Sequence, residues 1–310
     1  MDSSSDSSLL HPRGAARGRG GVLPAAIAAR RHDLQTEHGG RIHYYTDDSA
    51  AGRPLVLVHS VNAAPSAFEM KPLFERYRGQ RPVYALDLPG FGHSDRSDRR
   101  YSPRLFANAI VDFLEKVVAK PCDLIAFSLG CEFAAQTALT KPDLIESLVL
   151  ISPTGFSARR LPTGRAAERA HKVLSVPVLN DGLFGLLTSR PSIRFFYSQA
   201  FHGAIPKEMI DYAYATAHQP GAKYAPLYFL SGQLFTQNAR ETVYGKVTQP
   251  VLVLYDRDPN IDFHELPDFL GRHPNWRAER IAPTRGLLQW EQPDQTAAAI
   301  DRFWSAHQAA

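Results

Sequence analysis

The chain has 310 residues, 44% hydrophobic and 21% charged, with 23 prolines and 21 glycines; this is globular composition near the upper size for one core, and it excludes collagen-like, coiled-coil and wholly disordered chains. Two cysteines, Cys122 and Cys131, exclude a disulfide framework, and no apolar run approaches the ~18 residues of a membrane-spanning helix. The net charge of +4 points first to anionic partners, but five arginines and two aspartates fall within residues 1–31, which leaves +1 for the rest.

No basic stripe or recognition motif remains in that rest, so nucleic acid is not expected as a partner. Residues 1–31 open Ser/Asp-rich and continue Gly14-Ala-Ala-Arg-Gly-Arg-Gly-Gly21, a composition unable to bury a core and expected to form a disordered leader. The leader lacks the apolar segment of a secretory signal. A cytoplasmic protein is the expectation, with organelle import through the Arg- and Ser-bearing leader as the alternative.

Regular patterning begins at His32. Arg41–Thr46 is β-prone, and Pro54-Leu-Val-Leu-Val-His59 is a continuous apolar run suited to a buried parallel strand. Met70, Leu73, Phe74 and Tyr77 fall at helical spacing. Pro82–Leu88 reads as a strand, and Phe106, Ile110, Phe113, Leu114 and Val117 line a helix face. Cys122–Phe127 is a strand, followed by a helix striped with Cys131, Ala134, Ala135, Ala138 and Leu139, then by strand Leu148–Ile151. The alternation resumes at Pro250–Tyr255, continues through Trp276–Ile281 and closes with a helix from Pro293 to Ala306. Strands alternating with helices predict an α/β fold, a mostly parallel sheet covered on both faces. Residues 32–151 and 250–310 are expected to form that core, and 152–249 a helical cap inserted between the strand at Leu148–Ile151 and the strand at Pro250–Tyr255.

Ala126-Phe-Ser-Leu-Gly130 stands where a strand meets a helix. A sharp turn there exposes Ser128, and neighbouring backbone demands small residues two before and two after it. With this element the sequence resembles the α/β-hydrolase superfamily over residues 35–306. The resemblance rests also on Val56-Leu-Val-His59, Asp87-Leu-Pro-Gly-Phe-Gly-His-Ser-Asp95, Val251-Leu-Val-Leu-Tyr-Asp-Arg-Asp-Pro259 and Gln289-Trp-Glu-Gln-Pro293.

The resemblance implies an α/β-hydrolase fold, a Ser-Asp-His triad, an oxyanion hole and a pocket-shaping cap. Ser128 matches the nucleophile, and the backbone N–H groups of Leu129 and Val61 match the oxyanion hole. Ser60 stands where glycine is usual, Asn62 offers an amide beside it, and His59 matches a loop-holding residue. Asp258 matches the acid, with Asp256 as runner-up because the loop is one residue short. Ser60, Asn62, Phe127, Phe195, Phe196, Tyr228 and Leu287 are expected to line the substrate pocket.

The histidine slot departs from the pattern. Counting back from Glu291 places Gly286 there, and no histidine occurs between His273 and His307. A serine without a base to take its proton is a poor nucleophile. Of the twelve histidines, His264, His202, His218 and His93 are the candidates to substitute. Two functional readings stay open. One is a cofactor-free enzyme acting on a small, largely apolar ester, amide, acyl or carbon–carbon substrate through Ser128. The other is a repurposed member, a binding or scaffold protein, or a lyase or isomerase using the same pocket. No metal-ligand spacing and no dinucleotide fingerprint appear. The oligomeric state is not encoded in any pattern found.

Overall fold

Apolar residues that alternate along a short strand point to opposite faces of the sheet, so both faces must be covered. The computed structural model describes residues 21–157 and 164–308, and shows how this chain does so. Its strands are β1 (Arg30–Thr36), β2 (Gly40–Asp47), β3 (Leu55–Val58), β4 (Val83–Asp87), β5 (Cys122–Phe127), β6 (Ile145–Ile151), β7 (Val251–Tyr255) and β8 (Trp276–Arg280). They form one sheet in the order β1-β2-β4-β3-β5-β6-β7-β8. β2 runs antiparallel to β1 and β4, and every pairing from β4 to β8 is parallel.

Helices fill the connections: α1 (Lys71–Tyr77), α2 (Pro103–Phe113) and α3 (Gly130–Thr140) before β6, then α4 (Gly164–Leu174), α5 (Pro177–Leu187), α6 (Arg190–Ala200), α7 (Lys207–Ala217), α8 (Tyr224–Leu230) and α9 (Ala239–Thr242) between β6 and β7. α10 (Leu266–Leu270), α11 (Leu288–Glu291) and α12 (Pro293–Gln308) complete the chain. Val56, Val58, Leu124 and Ala126 pack on one side with Phe106 and Ile110 of α2 and Phe133 and Ala134 of α3. Leu55, Leu57, Ile125 and Phe127 pack on the other with Leu73 and Phe74 of α1 and Ile300 and Phe303 of α12. This is the doubly covered α/β sheet that the patterning predicts.

Two sequence expectations change here. β1 was not marked by apolar alternation: Arg-Arg-His-Asp-Leu-Gln-Thr is mostly exposed and is held by its antiparallel register with β2. The leader boundary also shifts. Residues 1–20 lie outside the described residues, but Leu23, Ala26 and Ile27 are buried in the α1/α12 layer, and the N–H of Ala26 donates to Tyr45 Oη at 2.9 Å. A few apolar residues within a polar stretch suffice when the folded body supplies the partner surface.

The helical insertion between β6 and β7 is tied to the core at named points. Glu132 of α3 accepts from Thr154 Oγ1 at the start of the insertion and from the N–H of Thr236 near its end. Arg96 donates to the carbonyl of Thr216 at 2.7 Å, a cation at the C-terminal end of α7 where the helix dipole favours it. Phe68 stacks on Tyr212 of α7 with centroids 4.7 Å apart. Among the described residues, no helix is long and apolar enough to cross a membrane.

Candidate active site

Ser128 lies between β5 and α3 with φ +53, in the left-handed region that a non-glycine residue seldom occupies. Its N–H donates to the carbonyl of Ile151 at 2.8 Å, which anchors the turn to β6. Gly130 shows why the turn needs small residues: a Cβ there would stand 2.3 Å from the carbonyl oxygen of His59. The turn and the 59–62 loop are therefore packed backbone against backbone. This brings Leu129, the fully buried residue after Ser128, beside the loop that carries Val61.

The 59–62 loop is held from beneath. His59 is fully buried; its Nδ1 donates to the Ser60 carbonyl at 2.5 Å, and Nε2 accepts from the Leu88 N–H at 2.9 Å. Burial pushes its pKa down to about 4, so the ring is a neutral strut between β3 and β4. Glu69 completes the support. Its carboxylate accepts from the Ser60 N–H and Ser60 Oγ, each at 2.9 Å, and from Asn62 Nδ2 at 3.2 Å. Asn62 Nδ2 also donates to Ser60 Oγ at 2.9 Å, so its amide is turned into this cluster rather than offered as an additional free donor. Glu69 carried no motif signal. The feature that marks it is a carboxylate on a buried face, with Ala67, Phe68 and Met70 around it.

Across the site, Gly286 adopts φ +116 and is buried. Ser152, fully buried directly after β6, donates from Oγ to the Gly286 carbonyl at 3.1 Å. Asp258 is the facing side chain: a Cβ at Gly286 would lie 2.6 Å from Asp258 Oδ2. The other oxygen, Oδ1, accepts from the N–H groups of Asn260 and Ile261 at 2.8 and 3.0 Å. Burial pushes the Asp258 pKa up to about 6, with those two donors pulling the other way. Asp256 does different work. It accepts from Arg280 Nε at 2.6 Å and from the Thr284 N–H at 2.8 Å, clamping β8 and the segment before Gly286. Asp258, not Asp256, faces the histidine slot.

The four substitute histidines are scattered. His264 is exposed on the loop after β7, and its N–H donates to Asp262. His218 Nδ1 donates to the Tyr214 carbonyl at 2.8 Å, and the ring stacks on Tyr214. His93 Nε2 donates to the Pro24 carbonyl at 3.0 Å. His202 is exposed, but its N–H donates to Glu291 Oε1, and Glu291 Oε2 accepts from the Arg285 N–H at 2.7 Å. One carboxylate thus joins the end of α6 to the residue beside Gly286.

The expected pocket residues also separate. Phe127 and Leu287 are buried in one cluster with Phe68, Tyr212 and Phe201. Tyr228 packs instead against His171 and Tyr101. Phe195 and Phe196 face solvent, 59% and 54% exposed. The reason is helical phase: α6 turns Ile193 and Tyr197 inward, four residues apart, so Phe195 falls on the far side and Phe196 at the margin.

The alpha/beta hydrolase family model matches residues 55–299. An uncharacterized hydrolase, YugF, from Bacillus subtilis is 30% identical over 129 residues, 41% of this chain and 46% of the relative. A 2-hydroxymuconate semialdehyde hydrolase from Pseudomonas sp. is 30% identical over 112 residues, 36% of this chain and 40% of the relative. The aligned stretches thus span less than half the length of either relative. The crystal structure of a probable hydrolytic enzyme from Pseudomonas aeruginosa PAO1 superimposes with a TM-score of 0.72 at 20% identity, covering 89% of this chain and 95% of that one. That likeness shows the shared fold. The family match runs from the first residue of β3 into α12 and takes in every element that carries Ser128, Asp258 and Gly286; the chain belongs to the alpha/beta hydrolase family.

Proposed function

We propose that the protein is an enzyme acting on a small, largely apolar ester, amide, acyl or carbon–carbon substrate at Ser128, with an atypical triad. The observation that carries this reading is the strained backbone of Ser128. A left-handed non-glycine residue costs of order 1–3 kcal/mol and persists only where the surroundings enforce it. Gly130 against His59 and the Ser128–Ile151 hydrogen bond enforce it here. Ser128 is the nucleophile in this reading, the N–H groups of Leu129 and Val61 stabilise the developing oxyanion, and Asp258 supplies negative charge opposite. The names of the hydrolase relatives support the same class of chemistry.

The base is open among His264, His202, His218 and His93, and of these we favour His202, whose backbone Glu291 joins to the loop bearing the empty slot.

One observation favours the second reading, a repurposed non-hydrolytic member. The carboxylate of Asp258 occupies the space in which a side chain at position 286 would begin. A fluorophosphonate probe separates the two. Labelling of the natural protein that Ser128→Ala abolishes supports the enzyme. No labelling, together with no turnover of short acyl esters, overturns it in favour of the second reading.

A further inference from the structure

Glu69 is 3% exposed and lies in the short turn, Ala67–Met70, that leads directly into α1. Among the described residues no cation pairs with it; the groups that favour the charged form are Ser60 and Asn62. Its side chain reaches both ends of the short loop that contains Val61, and its backbone reaches further. The Glu69 carbonyl accepts from Gln289 Nε2 at 3.2 Å and from Trp290 Nε1 at 2.9 Å. One residue therefore joins the 60–62 loop to the segment that begins at Gly286. Ala64, two residues beyond Asn62, packs against Phe184, Ile193, Ile210 and Ala213 of the insertion. A change in the loop is thereby felt by both the sheet and the insertion.

We propose that Glu69 is the positioning residue of the candidate oxyanion loop: its carboxyl group fixes Ser60 and Asn62, and so the direction of the Val61 N–H between them. This rests on the reading of Ser128 and Val61 given above. Ser60 makes the arrangement necessary. A serine in place of the usual glycine brings a hydroxyl into a buried site, and a buried hydroxyl needs a partner. Glu69 is that partner and also takes the adjacent N–H.

Protonation makes the contact readable. Burial pushes Glu69 up to about 7. Around it stand the neutral ring of His59 beneath Ser60 and the phenol of Tyr197 on α6, whose own ionisation Glu69 opposes. Lys71, two residues on, is paired with Glu208 of α7 at 2.8 Å. A protonated carboxyl keeps one acceptor for the Ser60 N–H and donates to Ser60 Oγ. Glutamine reproduces both Ser60 contacts and gives up only the longer one from Asn62 Nδ2, which also reaches Oε1; alanine removes all three. An ionised carboxyl is better solvated when the loop opens, so closure weakens as pH rises through the Glu69 transition.

The test compares the natural protein with Glu69→Gln and Glu69→Ala. Two readouts are followed from about pH 5.5 to about pH 8.5: amide hydrogen exchange of the 59–66 segment, as protection factors, and the rate of fluorophosphonate labelling at Ser128. The expected result is a step near neutrality in the protection of the natural protein, absent from Glu69→Gln. Glu69→Ala should lose about tenfold or more in protection and labelling, while Glu69→Gln stays within about threefold of the natural protein at the acid end. Equal protection in all three proteins overturns the proposal, and so does a step that persists in Glu69→Gln. If Glu69→Ala does not fold, the step in the natural protein and its fate in Glu69→Gln decide alone. If nothing labels at any pH, the reading of Ser128 fails, and hydrogen exchange still decides the role of Glu69.

Discussion

Asp258 has closed on Gly286: its Oδ2 lies 2.6 Å from the point where a side chain at 286 would begin, and Gly286 holds φ +116, a conformation natural to glycine alone. The absent histidine is therefore more than a deleted ring. The Asp258 side chain and the Gly286 backbone both hold positions that a histidine at 286 would have to change.

Restoring the ring should accordingly fail. Gly286→His is expected to cost ~1–3 kcal/mol through forced backbone strain and displacement of Asp258, and to confer no esterase activity alone. Gly286→Ala should carry most of the same cost, because the conflict begins at Cβ. Thermal melts of both variants beside an acyl-ester assay check this. An unchanged melting temperature in Gly286→Ala would mean that the slot is looser than its geometry shows.

Among the histidines, His202→Ala is expected to lower turnover by ~10²-fold or more, the usual contribution of a positioned base. His264→Ala and His218→Ala should leave it nearly unchanged. His264 is exposed and the His218 ring is committed to Tyr214. The comparison is made at equal folded concentration with one substrate. Similar losses in all three would count against His202 as the base.

His59 should behave as structure. His59→Ala leaves the Ser60 carbonyl and the Leu88 N–H without their buried partner, at about 1–3 kcal/mol for each group left unsatisfied. A lowered melting temperature at every pH is the expected outcome. A loss of turnover with unchanged stability would instead make the ring a chemical participant.

Stability should decline as pH rises from about 5 to about 7. Burial raises Glu69 and Glu132 from 4.5 to about 7, and Asp258 from 3.8 to about 6. A carboxyl raised in the folded state contributes stability that is present at low pH and lost as pH climbs through its folded value. His59 has the opposite sign: lowered from 6.5 to about 4, it contributes stability above that window and loses it on acidification. Burial also lowers His43 and His171, which act in the same sense as His59, but neither ring is as deeply buried as His59. The decline is expected because the three carboxyls are each raised by about two pH units or more. Glu132→Gln keeps an acceptor for the Thr236 N–H and a donor for Thr154, so it should raise the melting temperature at alkaline pH and flatten the decline. Melts across the pH range with and without the substitution measure it.

Much of this protein was legible along the chain. The apolar runs at 55–58 and 251–255, and the mostly apolar 122–127, are short and suited to strands buried on both faces, and local patterning carries that information. The turn at Ser128 was legible for the same reason, since small residues at 126 and 130 answer a steric demand within five residues. β1 and the packing of Leu23, Ala26 and Ile27 were not legible. Their stabilisation comes from β2 and from the α1/α12 layer, neither of which is local to them.

The sequence by itself determined the order of the strands from β2 to β8, the serine turn, and the absence of a histidine at position 286. Each is a property of residues close together in the chain. Only the tertiary structure decided that Asp258 rather than Asp256 faces the slot, that Phe195 points to solvent, that Glu69 grips the 60–62 loop, and that Glu291 draws His202 towards Arg285. Those relations join residues far apart in the chain, and burial, helical phase and hydrogen-bond satisfaction act on the side chains that folding brings together.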